Sequence, residues 1–263
     1  MQIDLTDKTA LVTGSTAIGG IGHTTAAGLH ASGATVVVNG RTTDRVQKAV
    51  DALGAGDRVI GIAADVSTAA GCEALVGAVP RVDILVNNAG GATPQPVMEI
   101  LDEEWESQFA FNVLSGLRLS RAYVPGMVES GWGRVVFVSS ESALNIPVEM
   151  VHYGVTKLAQ LGLARGLAES VPASGVTINS VLPGPTMTPA LQTFMGHLFG
   201  EEANDPEEAG RLLIERGRPT SLLGRPATAE EVANLIVYLS SPQASATTGT
   251  SVRVDGGVVR TVV

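Results

Sequence analysis

The 263-residue chain has a single cysteine, few aromatic side chains (4%) and no run of basic residues. Cys72 alone cannot make an intrachain disulfide or a multi-cysteine metal site; it reads as a small apolar side chain packed in a helix, and no metal site is expected. A net charge of −9 without a Lys/Arg cluster leaves no electrostatic footprint for DNA, RNA or an anionic membrane, so nucleic acid and membrane are not expected partners. No stretch reaches the ~18 apolar residues of a membrane span, and residues 1–8 lack a charged and then apolar leader, so a cytoplasmic protein is expected. Charged residues make up 16%, against a usual ~25%, while hydrophobic residues reach 44%; contacts between subunits are the expected cover for so weakly charged a surface.

What the chain does have is rhythm. Short β-branched runs at 9–12, 35–39, 59–63, 84–87, 134–138, 176–182 and 251–254 alternate with amphipathic segments near 21–32, 43–53, 67–79, 102–130, 152–170 and 228–240. This predicts one α/β domain, 1–263, with a doubly wound, mostly parallel seven-stranded sheet. The last helix is opened by a capping box, Thr228-Ala-Glu-Glu231. The third and fourth strands are almost purely apolar and are expected to be buried on both faces. Only 189–224 breaks the rhythm, with Gly, Pro and an acidic run, Glu201-Glu-Ala-Asn-Asp-Pro-Glu-Glu208, near Arg211, Arg216 and Arg218; it reads as a substrate lid.

Ligands of such sheets bind beyond the carboxyl ends of the strands. The first strand runs into Thr13-Gly14-Ser15-Thr16-Ala17-Ile18-Gly19-Gly20-Ile21-Gly22 and then a helix, where glycine backbone and free helix N–H groups suit a pyrophosphate. The second strand ends Asn39-Gly40-Arg41, with no carboxylate for the ribose hydroxyls of NAD; Arg41 either pairs with the 2′-phosphate of NADP or is a solvated surface residue, so NADP is preferred and NAD stays open. Asp65 and Val66 either meet adenine or, for Asp65, cap a turn. Small residues in Asn87-Asn88-Ala89-Gly90 would let a cofactor lie flat on the backbone.

Tyr153 and Lys157 stand four apart at the start of a predicted helix, on one face. A tyrosine working near neutrality needs roughly 4 kcal/mol of extra phenolate stabilisation, which a neighbouring ammonium in a desolvated site can supply. Tyr153 is then the general acid or base, and Lys157 lowers its pKa and holds ribose. Ser140 closes the fifth strand, where its hydroxyl could polarise a carbonyl. Asn112, inside the long predicted helix, either holds a water that relays protons to Lys157 or marks a bent helix position. His152 has no carboxylate placed to orient it, so a Ser/His mechanism is not favoured.

Thr13-Gly14 with Gly20-Ile21-Gly22, Asn87-Asn88-Ala89-Gly90, Asn112, Ser140, Tyr153-Gly-Val-Thr-Lys157, Pro183-Gly184 and Asp255-Gly256-Gly257 together resemble, in order and spacing, the short-chain dehydrogenase/reductase family. The resemblance implies a Rossmann-type subunit that oxidises alcohols or reduces carbonyls with NAD(P), with Ser140, Tyr153, Lys157 and Asn112 as a catalytic tetrad. It also implies cofactor contacts at Gly14, Ile21, Gly22, Asp65, Asn88 and Gly90, and at Pro183, Gly184 and above all Thr188 beside the nicotinamide carboxamide. A homotetramer or homodimer is implied, commonly through the helices at 102–130 and 152–170. One departure stands out: five residues separate Gly14 from Gly20 where three are usual, so Ser15, Thr16 and Gly19 are alternatives for the phosphate contact. Glu141, Ser142, Leu144, Asn145, residues 91–96 and the lid are expected around an alcohol or carbonyl substrate that they do not name. A non-catalytic dinucleotide sensor is the competing reading, and such proteins tend to lack the tyrosine or the lysine that this chain keeps.

Overall fold

Apolar alternation decides which face each strand presents. In Thr9–Val12 (β1), Ala10 and Val12 join one core cluster and Leu11 the other; in Thr35–Gly40 (β2), Val36 and Val38 oppose Val37. Ile84–Asn87 (β4) and Gly133–Val138 (β5) divide in the same way. One cluster is roofed by Ile21–Ala31 (α1), Thr43–Ala52 (α2) and the late helix Ala229–Leu239 (numbered α9 in chain order). The other is roofed by Ala69–Ala78 (α3), Ser115–Glu129 (α5) and Val151–Glu169 (α6), with Asp102–Phe109 (α4) packed outside against α6, and it buries Cys72 as expected. The computed structural model describes residues 2–54, 56–200 and 205–262, side chains of 197–199 excepted.

With Val59–Ala63 (β3), Val176–Pro183 (β6) and Ser251–Val254 (the ninth strand, β9), the main sheet has seven parallel strands in the order β3-β2-β1-β4-β5-β6-β9. This is the doubly wound, single-domain α/β arrangement that the rhythm predicts. The winding reverses between β1 and β4, where the loops leaving the two strands diverge and open a crevice.

Three expectations need correction. β3 is not buried on both faces: it is the edge strand, and of its five residues only Val59 is buried, Ile60 being 37% exposed. Its purely apolar composition reflects one covered face and one open one. The helix expected over 102–130 is continuous but not regular: a π turn, Ala110–Leu114, joins α4 to α5 without a break in the helical course. The irregular insertion is largely helical. Pro189–Phe199 (α7) is capped by Thr188, whose Oγ1 accepts the Leu191 N–H, and Pro206–Leu212 (α8) by Asp205, which accepts the N–H groups of Glu207 and Glu208. A cap followed by proline at the first helical position is a strong start signal, masked here by the surrounding glycine and charge. Met195, Ala209, Leu212 and Leu213 give the insertion a small core of its own, and the strand pair Thr186–Met187 (β7) and Ala227–Thr228 (β8) closes its base. Residues 201–204 of the acidic run lie outside the described residues. The capping box at Thr228 and Glu231 forms in full.

Candidate active site

A cavity of about 450 Å³ opens at the carboxyl ends of β1, β4, β5 and β6. It is lined by Gly14, Gly20, Ile21 and Gly22 from the first crossover, Asn88 and Gly90 after β4, Ser140, Tyr153 and Lys157, and Pro183, Gly184 and Thr188 at the entrance to the insertion. Ser15, Thr16, Arg41, Asp65, Val66, Ala89 and Asn112 stand outside that lining.

The cradle is built from backbone. Gly20 caps α1 with no side-chain hydrogen bond, and the first turn has no acidic residue, so the helix points N–H groups and its positive end at the cavity without an internal competitor. Gly14 has φ +63°, and a Cβ there would lie 2.9 Å from Ala89 Cα, so the β1 and β4 loops touch only because it is glycine. Thr13 fastens the same contact: its Oγ1 accepts the N–H groups of Asn88 and Ala89, each at 3.0 Å, while Asn88 Nδ2 donates to the carbonyls of Thr13 and Gly14.

The longer glycine loop turns its hydroxyls away. Ser15 Oγ donates to Val12 O (2.7 Å) and accepts from Asn39 N (3.1 Å), and Thr16 packs against Gly40, so neither side chain faces the cavity. Ala17, which the sequence did not single out, lines it instead. Asp65 takes the turn-cap role, with Oδ1 accepting from Ser67 N and Ser67 Oγ. Arg41 is exposed just beyond β2.

β5 delivers Ser140 to the rim, and the first turns of α6 carry Tyr153 and Lys157 on one face toward it. Lys157 is buried; its Nζ lies 5.4 Å from the centre of the Tyr153 ring and donates to Val138 O at 2.9 Å. The expected lowering of the Tyr153 pKa does not emerge. Burial pushes the phenol up to about 12, the Glu141 carboxylate adds to this, and the Ser140 hydroxyl opposes it. Burial also pulls Lys157 down to about 7, so near neutrality the ammonium is itself partly discharged.

Asn112 sits in the π turn, fully buried. Its Oδ1 accepts from Gly91 N, and the two protons of its Nδ2 are shared among Gln108 Oε1 (2.9 Å), Thr156 Oγ1 (3.0 Å) and Gly91 O (3.2 Å). A π turn leaves carbonyls outside the regular ladder. The Asn112 carbonyl takes Gln160 Nε2, and Gln160 Oε1 accepts from Lys157 Nζ at 3.4 Å. Gln160 was missed in the sequence, although its place three residues after Lys157 on the same helix could have drawn attention. His152 is buried edge-on against Trp105 with neither ring nitrogen hydrogen-bonded among the described residues, so it couples to no serine.

A buried ion pair completes the site. Arg218 does not join the acidic run, whose Glu208 pairs with Arg211; it reaches back 77 residues, and its Nε donates to Glu141 Oε1 at 2.6 Å, with the side chains 12% and 3% exposed. No sequence signal marks a contact of that separation.

The family described as short chain dehydrogenase matches residues 8–196. The uncharacterized oxidoreductase YvaG of Bacillus subtilis is 42% identical over the full length of both chains. D-beta-hydroxybutyrate dehydrogenase of Cupriavidus necator is 34% identical, covering 97% of this chain and 99% of its own. The crystal structure of L-sorbose reductase from Gluconobacter frateurii, complexed with NADPH and L-sorbose, superposes with a TM-score of 0.92 over all of both chains at 33% identity. With the sheet order and the motif order in agreement, the chain belongs to the short-chain dehydrogenase/reductase family of oxidoreductases.

Proposed function

We propose that this protein transfers a hydride between NADP(H) and an alcohol or carbonyl substrate, using Ser140, Tyr153 and Lys157. The observation that carries the reading is a cavity in which a hydroxyl, a phenol and an amine converge beside a helix start that has no side-chain cap. That helix start, the glycine backbone around it and the close β1–β4 contact fit a dinucleotide pyrophosphate.

The start of α1 binds the pyrophosphate, with the N–H groups of Ile21 and Gly22 free to donate and Gly14 and Gly20 giving it room, while Ser15, whose N–H is held by Asn39 O, and Thr16 shape the loop from behind. Arg41, exposed beyond β2, pairs with the 2′-phosphate, and Asp65 and Val66 flank adenine. Asn88, Ala89 and Gly90 form the floor. Pro183, Gly184 and Thr188 hold the carboxamide; Thr188 Oγ1 accepts the Leu191 N–H and so keeps its own proton to donate. When bound, the nicotinamide supplies or accepts the hydride. Ser140 donates a hydrogen bond to the substrate oxygen, and Tyr153 gives it a proton in reduction or removes one in oxidation. Lys157 holds ribose and is itself positioned by Val138 O and by Gln160, which ties it to Asn112. The 189–224 insertion closes over the substrate, and subunits associate through α5 and α6 as a homotetramer or homodimer.

The test is loss of reduced-nicotinamide absorbance when purified protein meets a broad carbonyl panel, with NADPH and NADH in parallel. Turnover with NADPH in the wild type, abolished in Tyr153→Phe with cofactor binding kept, is the expected result. A Tyr153→Phe variant of full activity would overturn the assignment.

A further inference from the structure

Glu141 follows Ser140 directly, and its carboxylate is among the least exposed charges in the molecule. Three donors reach it. Arg218 Nε donates to Oε1 at 2.6 Å; Oε2 accepts from Ser142 Oγ at 2.5 Å and from Ser140 Oγ at 3.1 Å. The Ser140 bond is the longest of the three and thus the weakest.

A serine hydroxyl has one proton to give. In the proposed reaction that proton belongs on the substrate oxygen, yet a carboxylate lies within its reach. A buried carboxylate lacking a counter-charge holds every donor it can find, because the alternative is an unpaired charge in a low-dielectric site. Here the guanidinium and the Ser142 hydroxyl satisfy it. Arg218 ends the π turn Leu213–Gly217, and its own N–H bonds to the carbonyls of Leu213 and Ile214 fix its backbone to the insertion.

We propose that Arg218 is a positioning residue that docks residues 213–218 on Glu141 and, by neutralising that carboxylate, loosens its hold on the Ser140 proton so that the substrate oxygen can take it. The idea rests on the carbonyl–alcohol reading of the same site. It ties docking of residues 213–218 to readiness of the serine: with Arg218 withdrawn, Glu141 holds the Ser140 proton firmly, and with Arg218 docked the Ser140 bond is the longest of the three and the first to yield to a substrate oxygen.

The prediction is a sign reversal between two substitutions. Arg218→Met removes the charge and keeps the bulk; kcat should fall roughly 10–100-fold, the scale of one charged hydrogen bond, with KM for NADPH unchanged. Adding Glu141→Gln to that variant removes the charge that needed neutralising and should recover most of the lost kcat, and Arg218→Lys should keep more kcat than Arg218→Met. If Arg218→Met does not fold, the double variant still decides: activity within tenfold of wild type supports the proposal, and activity below that overturns it. A rise in substrate KM with little change in kcat, unrelieved by Glu141→Gln, would overturn it in favour of Arg218 as a direct anchor for an anionic substrate.

Backbone hydrogen exchange in ligand-free protein reads the docking without turnover. Amides of 213–218 should exchange at least roughly tenfold faster in Arg218→Met than in wild type, and equal rates would contradict docking. Wild type and Tyr153→Phe assayed alongside keep the questions apart. Silence of the wild type on every carbonyl would count against the reaction, whereas failure of the Arg218 and Glu141 series in an active enzyme would count against this proposal alone.

Discussion

Tyr153 and Lys157, one helical turn apart, depart from their free values in opposite directions, and both departures come first from burial. A phenol held up at about 12 keeps its proton through the physiological range, which suits it to protonate a nascent alkoxide. Lys157 gives a measurable signature. Its pKa falls from 10.5 to about 7 on folding, so between those values the unfolded chain holds one more proton than the folded one, and the ligand-free protein gains stability as pH rises through that window. Below about pH 7 both states are protonated and the full cost of the buried ammonium remains. Lys157→Met lacks this term: the wild type should gain on the variant by on the order of 1.4 kcal/mol per pH unit above about pH 7, measured by denaturant titration at pH 6, 7, 8 and 9. A constant difference would show that Lys157 titrates normally. At the other end of the proposed cofactor site, Arg41→Ala should weaken NADPH binding at least roughly tenfold and leave NADH nearly unchanged, since only NADPH offers a 2′-phosphate. Equal losses in a fluorescence titration would remove Arg41 from the site.

Elements differ in how plainly the sequence announces them. The strands of the main sheet were legible because apolar residues of alternating face, such as Ala10, Leu11 and Val12, leave a composition few other structures share. The edge position of β3 was not, because apolar composition does not say how many neighbours a strand has. The π turn was hidden because one extra residue in a turn changes no periodicity that a window of ten can detect. Of the site, the residues within one element or its following loop were legible: Ser140, Tyr153, Lys157, Gly14, Gly22. What joins elements was not: the bond from Gln160 on α6 to the π turn and the pair between Glu141 and Arg218 depend on distances that only folding sets. Gln160→Leu tests the first of these. It leaves the buried Asn112 carbonyl without its amide and Lys157 with Val138 O as its remaining acceptor among the described residues, so stability should fall by about 1–3 kcal/mol, seen as a melting temperature several degrees lower. An unchanged melting temperature would mean the bond contributes nothing net.

At the scale of the whole molecule, the weakly charged surface noted in the sequence includes exposed apolar side chains on the helices of the proposed subunit contact. Leu114 beside α5 and Leu158 on α6 are 37% and 47% exposed, on the elements proposed to pair between subunits. Burying such side chains on association contributes about 25 cal/mol per Å² of apolar surface, and a carboxylate placed there opposes it. Leu158→Glu should therefore shift the protein to a smaller species in sedimentation velocity, while an unaltered sedimentation coefficient would move the interface elsewhere.

The most direct measurement of the central claim follows the hydride itself. NADPH deuterated at the reactive carbon, on each face in turn, is incubated with the protein and a carbonyl compound it turns over, and the product is analysed by mass spectrometry. The account predicts deuterium on the carbinol carbon from one face of the cofactor with the wild type, and none with Tyr153→Phe. Reduced cofactor consumed without deuterium in the product, or equal incorporation by the Tyr153→Phe variant, would contradict it.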